Sequence, residues 1–140
     1  MLLKNPEKSI GMNGDYLLDS NIIIDIFRGY PTTIARIKKI KIIYIPVIAI
    51  GELYYGANKS NQTPKRILEI EQLERSVVIL DVTKSTARVY GKIKDELRIK
   101  GKPIPENDVW IAAIAKENGL TLLTKDNHFE NVDSITIERL

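Results

Sequence analysis

The chain has 140 residues, with 21 basic and 18 acidic side chains, one histidine and no cysteine, giving a formal net charge of +3. This length suits one domain rather than two. The absence of cysteine excludes disulfides, zinc–thiolate sites and cysteine nucleophiles. No apolar run approaches the ~20 residues of a membrane span, and the N-terminus lacks the apolar core of a signal peptide. We therefore expect a cytoplasmic protein that does not enter a membrane.

In chain order, short apolar runs alternate with amphipathic segments of helix length. We interpret residues 1–13 as a poorly ordered leader, with Met12 as an alternative start, and residues 14–140 as the domain. Pro46 is expected to occupy the first position of its helix. The expected strands are 16–18, 42–45, 77–80, 121–123 and 135–137, and the expected helices are 21–28, 33–41, 47–58, 64–75, 85–100 and 107–118.

The strand segments are apolar without polar alternation, except for the last, which we expect at an edge. Continuous apolar strands are typical of a parallel sheet that is covered on both faces. The pattern predicts an α/β fold, a three-layer α/β/α sandwich with a central, mainly parallel five-stranded sheet. In such sheets ligands bind beyond the carboxyl ends of the strands. The residues that follow each strand are therefore the first candidates for a site.

Two acidic residues follow predicted strands. Asp19 comes directly after the first strand, and Asp126 comes shortly after the fourth. Asp is a favoured helix N-cap, so a capping role is the structural alternative for Asp19. Two acids at two strand ends indicate a shared pocket.

Two further acids lie in apolar helices. Asp108 falls in the first turn of a helix that is apolar nearly all round, where an acid favourably meets the positive end of the helix dipole. Glu52 has no basic residue three or four positions away, and an exposed surface glutamate is its alternative interpretation. A carboxylate beside such apolar surface needs a partner, because burying a lone charge is costly.

Asp19, Glu52, Asp108 and Asp126 together form a candidate carboxylate cluster. Mutual repulsion would disfavour four unpaired carboxylates at close range. A bound Mg²⁺ or Mn²⁺ removes that repulsion, since hard divalent cations prefer carboxylate and water oxygens. Such a centre hydrolyses phosphate esters.

Basic residues concentrate in the predicted helix 85–100. Lys84, Arg88 and Lys92 are spaced by four and form one stripe that could contact phosphate groups beside an acidic pocket. A solvated helix face is the alternative. His128 is expected at the loop surface rather than in proton transfer, and Trp110 and Tyr54 are expected in packing rather than base stacking.

Four segments occur in an order that resembles the PIN-domain ribonucleases, and most closely the VapC-like toxins of toxin–antitoxin pairs. They extend over nearly the whole chain from residue 14: YLLDSN at 16–21, GELYYGA at 51–57, PENDVWIAA at 105–113 and LTKDNHF at 123–129.

The resemblance implies a metal-dependent endoribonuclease that uses one or two Mg²⁺ or Mn²⁺ ions. By motif match, Asp19, Asp108 and Asp126 are the metal ligands, and Glu52 positions or activates the attacking water. Asn21 and Thr124 orient the acids. The resemblance also implies an RNA substrate, a homodimer and a cognate antitoxin that covers the active-site groove.

Three alternatives remain open from the sequence. A housekeeping PIN nuclease in RNA maturation would share the site and lack an antitoxin. A receiver or phosphatase would use Asp19 as phospho-acceptor, but Asp19-Ser20-Asn21 lacks the Asp-x-Asp of haloacid-type phosphatases. A non-catalytic PIN-fold binding protein is disfavoured by the presence of all four acids.

Overall fold

A computed structural model describes residues 15–140, and the predicted leader lies outside them. Five strands form one sheet in the order β3-β2-β1-β4-β5, and all four pairings are parallel. The strands are β1 (Tyr16–Leu18), β2 (Ile43–Pro46), β3 (Val78–Leu80), β4 (Thr121–Thr124) and β5 (Thr136–Arg139). The prediction of an α/β fold with five parallel strands is confirmed.

Helices cover both faces of this sheet. They are α1 (Ser20–Phe27), α2 (Pro31–Ile37), α3 (Val47–Lys59), α4 (Thr63–Glu74), α5 (Lys84–Lys100) and α6 (Glu106–Asn118), and a short 3-10 helix spans His128–Asn131. Among residues 15–140, no helix is both long and apolar enough to cross a membrane.

Two apolar cores form because successive strand residues point to opposite faces. Tyr16 and Leu18 pack with α1, α3 and α4 on one face. Leu17 and Leu122 pack with α5 and α6 on the other. Helices α5 and α6 carry the chain from β3 at one edge back to β4 beside β1. The strand order therefore reverses between β1 and β4, which is where open α/β sheets bind ligands.

The structure corrects two predicted boundaries. Helix α2 begins at Pro31 and ends at Ile37, whereas the sequence predicted 33–41. Proline is well suited to the first helical turn, so Pro31 starts this helix rather than only ending the previous one. Pro46 is the last residue of β2 and the N-cap of α3, so the prediction that it occupies the first helical position is wrong.

Candidate active site

Asp19 lies at the junction of β1 and α1 and has two structural tasks. The backbone N–H of Ser20 donates to its Oδ1 at 2.8 Å, which caps α1. The hydroxyl of Thr124 donates to its Oδ2 at 2.8 Å, across the boundary between β1 and β4. The capping alternative is thus correct for one oxygen, while the other faces the end of the neighbouring strand.

Thr124 and Asn21, both predicted to orient the acids, connect the two strand ends. Besides donating to Asp19, Thr124 Oγ1 accepts a hydrogen bond from the backbone N–H of Asp126 at 3.0 Å. Asn21 donates weakly to Asp19 Oδ2 at 3.4 Å and accepts from the backbone N–H of Lys125 at 3.2 Å. These bonds hold the segment after β4, which contains Asp126, close to Asp19, which follows β1.

Glu52 and Asp108 approach this edge from α3 and α6. The side-chain amide of Asn107 donates to Glu52 Oε2 at 3.2 Å, which joins the two helices. The other oxygen, Glu52 Oε1, is buried and has no hydrogen-bond partner among residues 15–140. A buried carboxylate oxygen without a partner is costly, so this atom is a candidate for contact with a cation or water.

The electrostatics of the acids agree with their crowding. Burial raises the pKa of Asp19 to about 6; the bonds from Thr124 and Ser20 oppose this rise, and the charges of Asp108 and Glu52 add to it. Burial also raises the pKa of Asp108, against the hydrogen bond with His128, and the charges of Asp126 and Glu52 contribute. The protein thus holds Asp19 and Asp108 where burial, and to a smaller extent the neighbouring carboxylates, disfavour ionisation, and a divalent cation would relieve this cost.

His128 lies within the acidic cluster, although the sequence favoured a loop-surface role. Its Nδ1 is 3.1 Å from Asp108 Oδ2 and 2.9 Å from Asp126 Oδ1. The backbone N–H of His128 also donates to Asp126 Oδ1 at 3.0 Å. The spacing of two residues after Asp126 was a usable signal, but the contact with Asp108 depends on where α6 begins in the fold.

Lys125, which lies between Thr124 and Asp126, forms an ion pair with the buried Asp25. Lys125 Nζ lies 3.0 Å from Asp25 Oδ2, and the same oxygen accepts the hydroxyl of Thr33 at 2.8 Å. Asp25 is only 4% exposed, so its charge depends on these partners. The pair was not predicted, because its members are 100 residues apart in the sequence.

The basic stripe of Lys84, Arg88 and Lys92 lies on the exposed face of α5. The residues that cap and begin α5, Thr83 and Thr86, donate to Glu117 near the end of α6. Nine residues separate Glu117 from Asp108, or about 14 Å along the helix. The stripe therefore starts away from the acids and runs toward them.

The second half of α5 contacts the first turns of α6, near Asp108. The rings of Tyr90 and Trp110 stack with centroids 3.9 Å apart, in agreement with the predicted packing role of Trp110. Glu106 accepts hydrogen bonds from Tyr90 and Lys94, with Lys94 Nζ at 2.7 Å. Glu106 is thus engaged in an exposed ion pair and does not join the acidic cluster.

A groove of about 480 Å³ opens beside Glu52, between α1, α3 and α4. Its lining combines apolar side chains with three cations and includes Ile24, Phe27, Arg28, Lys59 and Arg66. Of the four acids, only Glu52 lines this groove.

A cluster of carboxylates at the strand-order reversal of an α/β domain is consistent with the use of a divalent cation. Residues 16–135 match the family described as PIN domain. The chain belongs to the PIN domain family.

Curated relatives and solved structures agree with this assignment. Ribonuclease VapC2 of Haemophilus influenzae is 37% identical over 126 residues, covering 88% of this chain and 96% of that protein. The tRNA(fMet)-specific endonuclease VapC of Shigella flexneri is 29% identical with the same coverage. VapBC2 from Rickettsia felis, crystallised with a DNA fragment from its promoter, gives a TM-score of 0.83 at 26% identity, covering 89% of this chain and 98% of that one.

Proposed function

We propose that this protein is a metal-dependent endoribonuclease and the toxin of a toxin–antitoxin pair. The observation that carries the proposal is the convergence of four acids from separate elements beside the reversal of strand order. Asp19 and Asp126 follow β1 and β4, Asp108 starts α6, and Glu52 comes from the middle of α3. Relatives that align with 88% of this chain over 96% of their own length are named ribonucleases.

The donor set fits Mg²⁺ or Mn²⁺. The cluster offers carboxylate oxygens, and Glu52 Oε1 is buried without a partner among the described residues. Asp19, Asp108 and Asp126 would hold the cation. When bound, the cation lowers the pKa of water and stabilises the leaving oxygen of a phosphodiester.

The chain's own residues then have distinct tasks. Glu52 Oε1 is free to orient an attacking water and to accept its proton. Thr124 and Asn21 hold Asp19 and the backbone of residues 125–126 in place, so the acids need little rearrangement. Lys84, Arg88 and Lys92 contact RNA phosphates beyond the cleavage site, because they are exposed cations on one helix face.

The proposal that the protein is a toxin rests on structural relatives that come from VapBC complexes. Structures of VapBC complexes from Rickettsia felis and Haemophilus influenzae align over 89% of this chain. By analogy, the partner is a small antitoxin protein that covers the groove beside Glu52, and the toxin forms a homodimer. We propose that the protein acts on its RNA substrate in the cytoplasm.

The test is cleavage of total cellular RNA by purified protein, with sequencing of the fragment ends. Discrete fragments are expected with Mg²⁺ or Mn²⁺, none with EDTA, and none from Asp108→Asn in either metal. Cleavage that persists in Asp108→Asn would contradict the assigned site. Failure of the wild type to cut any RNA in either metal would overturn the nuclease proposal.

A growth assay separates the toxin from a housekeeping nuclease. Expression of the wild type in a bacterial host is expected to stop growth, and Asp108→Asn is not. Co-expression of a small protein encoded beside the toxin gene is expected to restore growth and to co-purify with the toxin. Normal growth with an active wild-type enzyme would favour the housekeeping alternative.

A further inference from the structure

The function proposed above gives no task to His128, yet its ring occupies a central position among the acids. It is the single histidine of the chain and the first residue of the 3-10 helix His128–Asn131. Its side chain is 45% exposed, so the imidazole is not packed into the apolar core. The contacts of the ring with Asp108 and Asp126 therefore indicate its role.

Three atoms from these side chains form a compact donor set. One oxygen of Asp108, one oxygen of Asp126 and one ring nitrogen of His128 all lie within 4.8 Å of one another. His128 Nδ1 is the ring atom that faces both carboxylates, at 3.1 Å and 2.9 Å. A cation placed between the carboxylates would therefore meet this nitrogen.

The backbone of His128 is held by contacts on either side of it. Its backbone N–H is bonded to Asp126 Oδ1, and the next residue, Phe129, is fully buried in the core. This backbone keeps the imidazole within reach of Asp126, and Nδ1 lies 2.9 Å from Asp126 Oδ1. A ligand on a fixed backbone loses only side-chain freedom when it binds.

We propose that His128 supplies Nδ1 as a nitrogen ligand to the cation held by Asp108 and Asp126, and that this ligand makes the site favour first-row transition ions over Mg²⁺. The inference rests on the proposed function, because it concerns the same cation. Mg²⁺ prefers oxygen ligands and retains its waters. Affinity of a mixed nitrogen and oxygen site instead rises along the series from Mn²⁺ to Co²⁺, and imidazole suits transition metals.

The direct test uses pulsed EPR of Mn²⁺ bound to the tag-free full-length protein. Because the chain contains one histidine, labelling histidine with ¹⁵N labels His128 alone. The wild type is expected to show a nitrogen coupling of a directly bound imidazole, which changes from ¹⁴N to ¹⁵N with the label. This experiment needs no variant, so it does not depend on whether a substitution folds. Absence of the coupling with Mn²⁺ bound at the acids would overturn the inference.

Calorimetric titration with Mn²⁺, Co²⁺ and Mg²⁺ tests the consequence for selectivity. His128→Asn is expected to weaken Co²⁺ binding by at least about tenfold, Mn²⁺ binding by less, and Mg²⁺ binding by under about twofold. An equal loss for all three ions would mean that His128 only positions the acids, and would overturn the inference. Melting curves without metal verify that the variant is folded. Asn127→Ala, which changes an exposed neighbour, is the matched control and should leave all three affinities unchanged.

The two proposals fail in different ways. Nitrogen coupling in a protein that cuts no RNA would overturn the nuclease proposal and leave the His128 inference standing. Metal-dependent cleavage without the coupling would overturn the His128 inference alone.

Discussion

The acidic cluster and the basic stripe on α5 are built in opposite ways. The acids come from four separate elements, and hydrogen bonds through Thr124, Asn21 and Asn107 connect these elements to one another. The stripe comes from one helix, and Lys84, Arg88 and Lys92 are exposed, with no ion pair among residues 15–140. Binding phosphate through charge tolerates freedom of the side chain, whereas holding a cation for chemistry demands fixed geometry.

Not every basic residue on the surface lacks an ion pair as the stripe residues do. Arg36 lies in α2, outside the stripe, and its guanidinium donates two short hydrogen bonds to the carboxylate of Glu138, at 2.5 and 2.7 Å. The pair joins α2 to the edge strand β5. Arg36 is thus structural and is not a candidate for RNA contact.

The largest effect is expected from Asp108→Asn. The substitution removes a charge that the cation needs and leaves the shape of the residue nearly unchanged, so cleavage should fall at least about a hundredfold. Addition of Mn²⁺ should raise the melting temperature of the wild type and have little effect on the variant. Single-turnover cleavage and melting curves measure the two effects. An unchanged cleavage rate in Asp108→Asn would mean that the active site does not include Asp108.

Asp19→Asn is expected to change the pH dependence of stability. A folded-state pKa of about 6, above the unfolded value, means that the native state binds more protons between roughly pH 4 and 6. Asp19 should therefore lower the unfolding free energy of the metal-free wild type by on the order of 2 to 3 kcal/mol as the pH rises through this window. Asparagine retains a capping oxygen, and the variant should lose the contribution of Asp19 while keeping that of Asp108, whose pKa is also raised. Urea unfolding at several pH values in EDTA measures it, and equal slopes for both proteins would contradict the assignment.

Thr124→Val tests the bonds that connect the two strand ends. Valine matches the shape of threonine but neither donates to Asp19 nor accepts from the backbone N–H of Asp126. We expect about a tenfold loss of cleavage and of cation affinity, as is usual when the partner of a metal ligand is removed. The control, Thr124→Ser, retains the hydroxyl and should keep most of the activity. Equal losses in both variants would indicate a packing effect instead.

The smallest effect is expected from reversing two charges of the stripe. Lys92→Glu with Arg88→Glu should weaken RNA binding severalfold at low salt and reduce the slope of log Kd against log salt concentration. The cleavage rate at saturating RNA should change little. Lys39→Glu with Lys41→Glu makes the same change of charge at exposed positions before β2, away from α5, and is the matched control. Unchanged binding at low salt would remove the stripe from the RNA interface.

Three of the four acids can be predicted from the local sequence around them. Asp19 and Asp126 follow apolar strands, and parallel strands bring their carboxyl ends to one edge, so their proximity follows from the fold class. Glu52 is recognisable because it is an acid in a mostly apolar helix. These signals need only the order of the elements along the chain.

The residues that were misjudged or missed from the sequence depend on distances between elements. The contact of His128 with Asp108 requires that α6 begin beside the loop after β4, and Asn107 meets Glu52 across 55 positions of the chain. Asp25 and Lys125 pair across 100 positions. Periodicity and strand-end rules carry no information on such pairings, because these depend on helix packing angles and loop paths.

The central claim is that Asp19, Asp108 and Asp126 hold a cation beside Glu52, and the most direct measurement is a crystal structure of the protein grown with Mn²⁺. The anomalous signal of manganese identifies the ion independently of water. The account predicts a peak between the carboxylates of Asp108 and Asp126, within reach of Asp19. A peak only elsewhere on the surface, or none at the acids at saturating Mn²⁺, would contradict it.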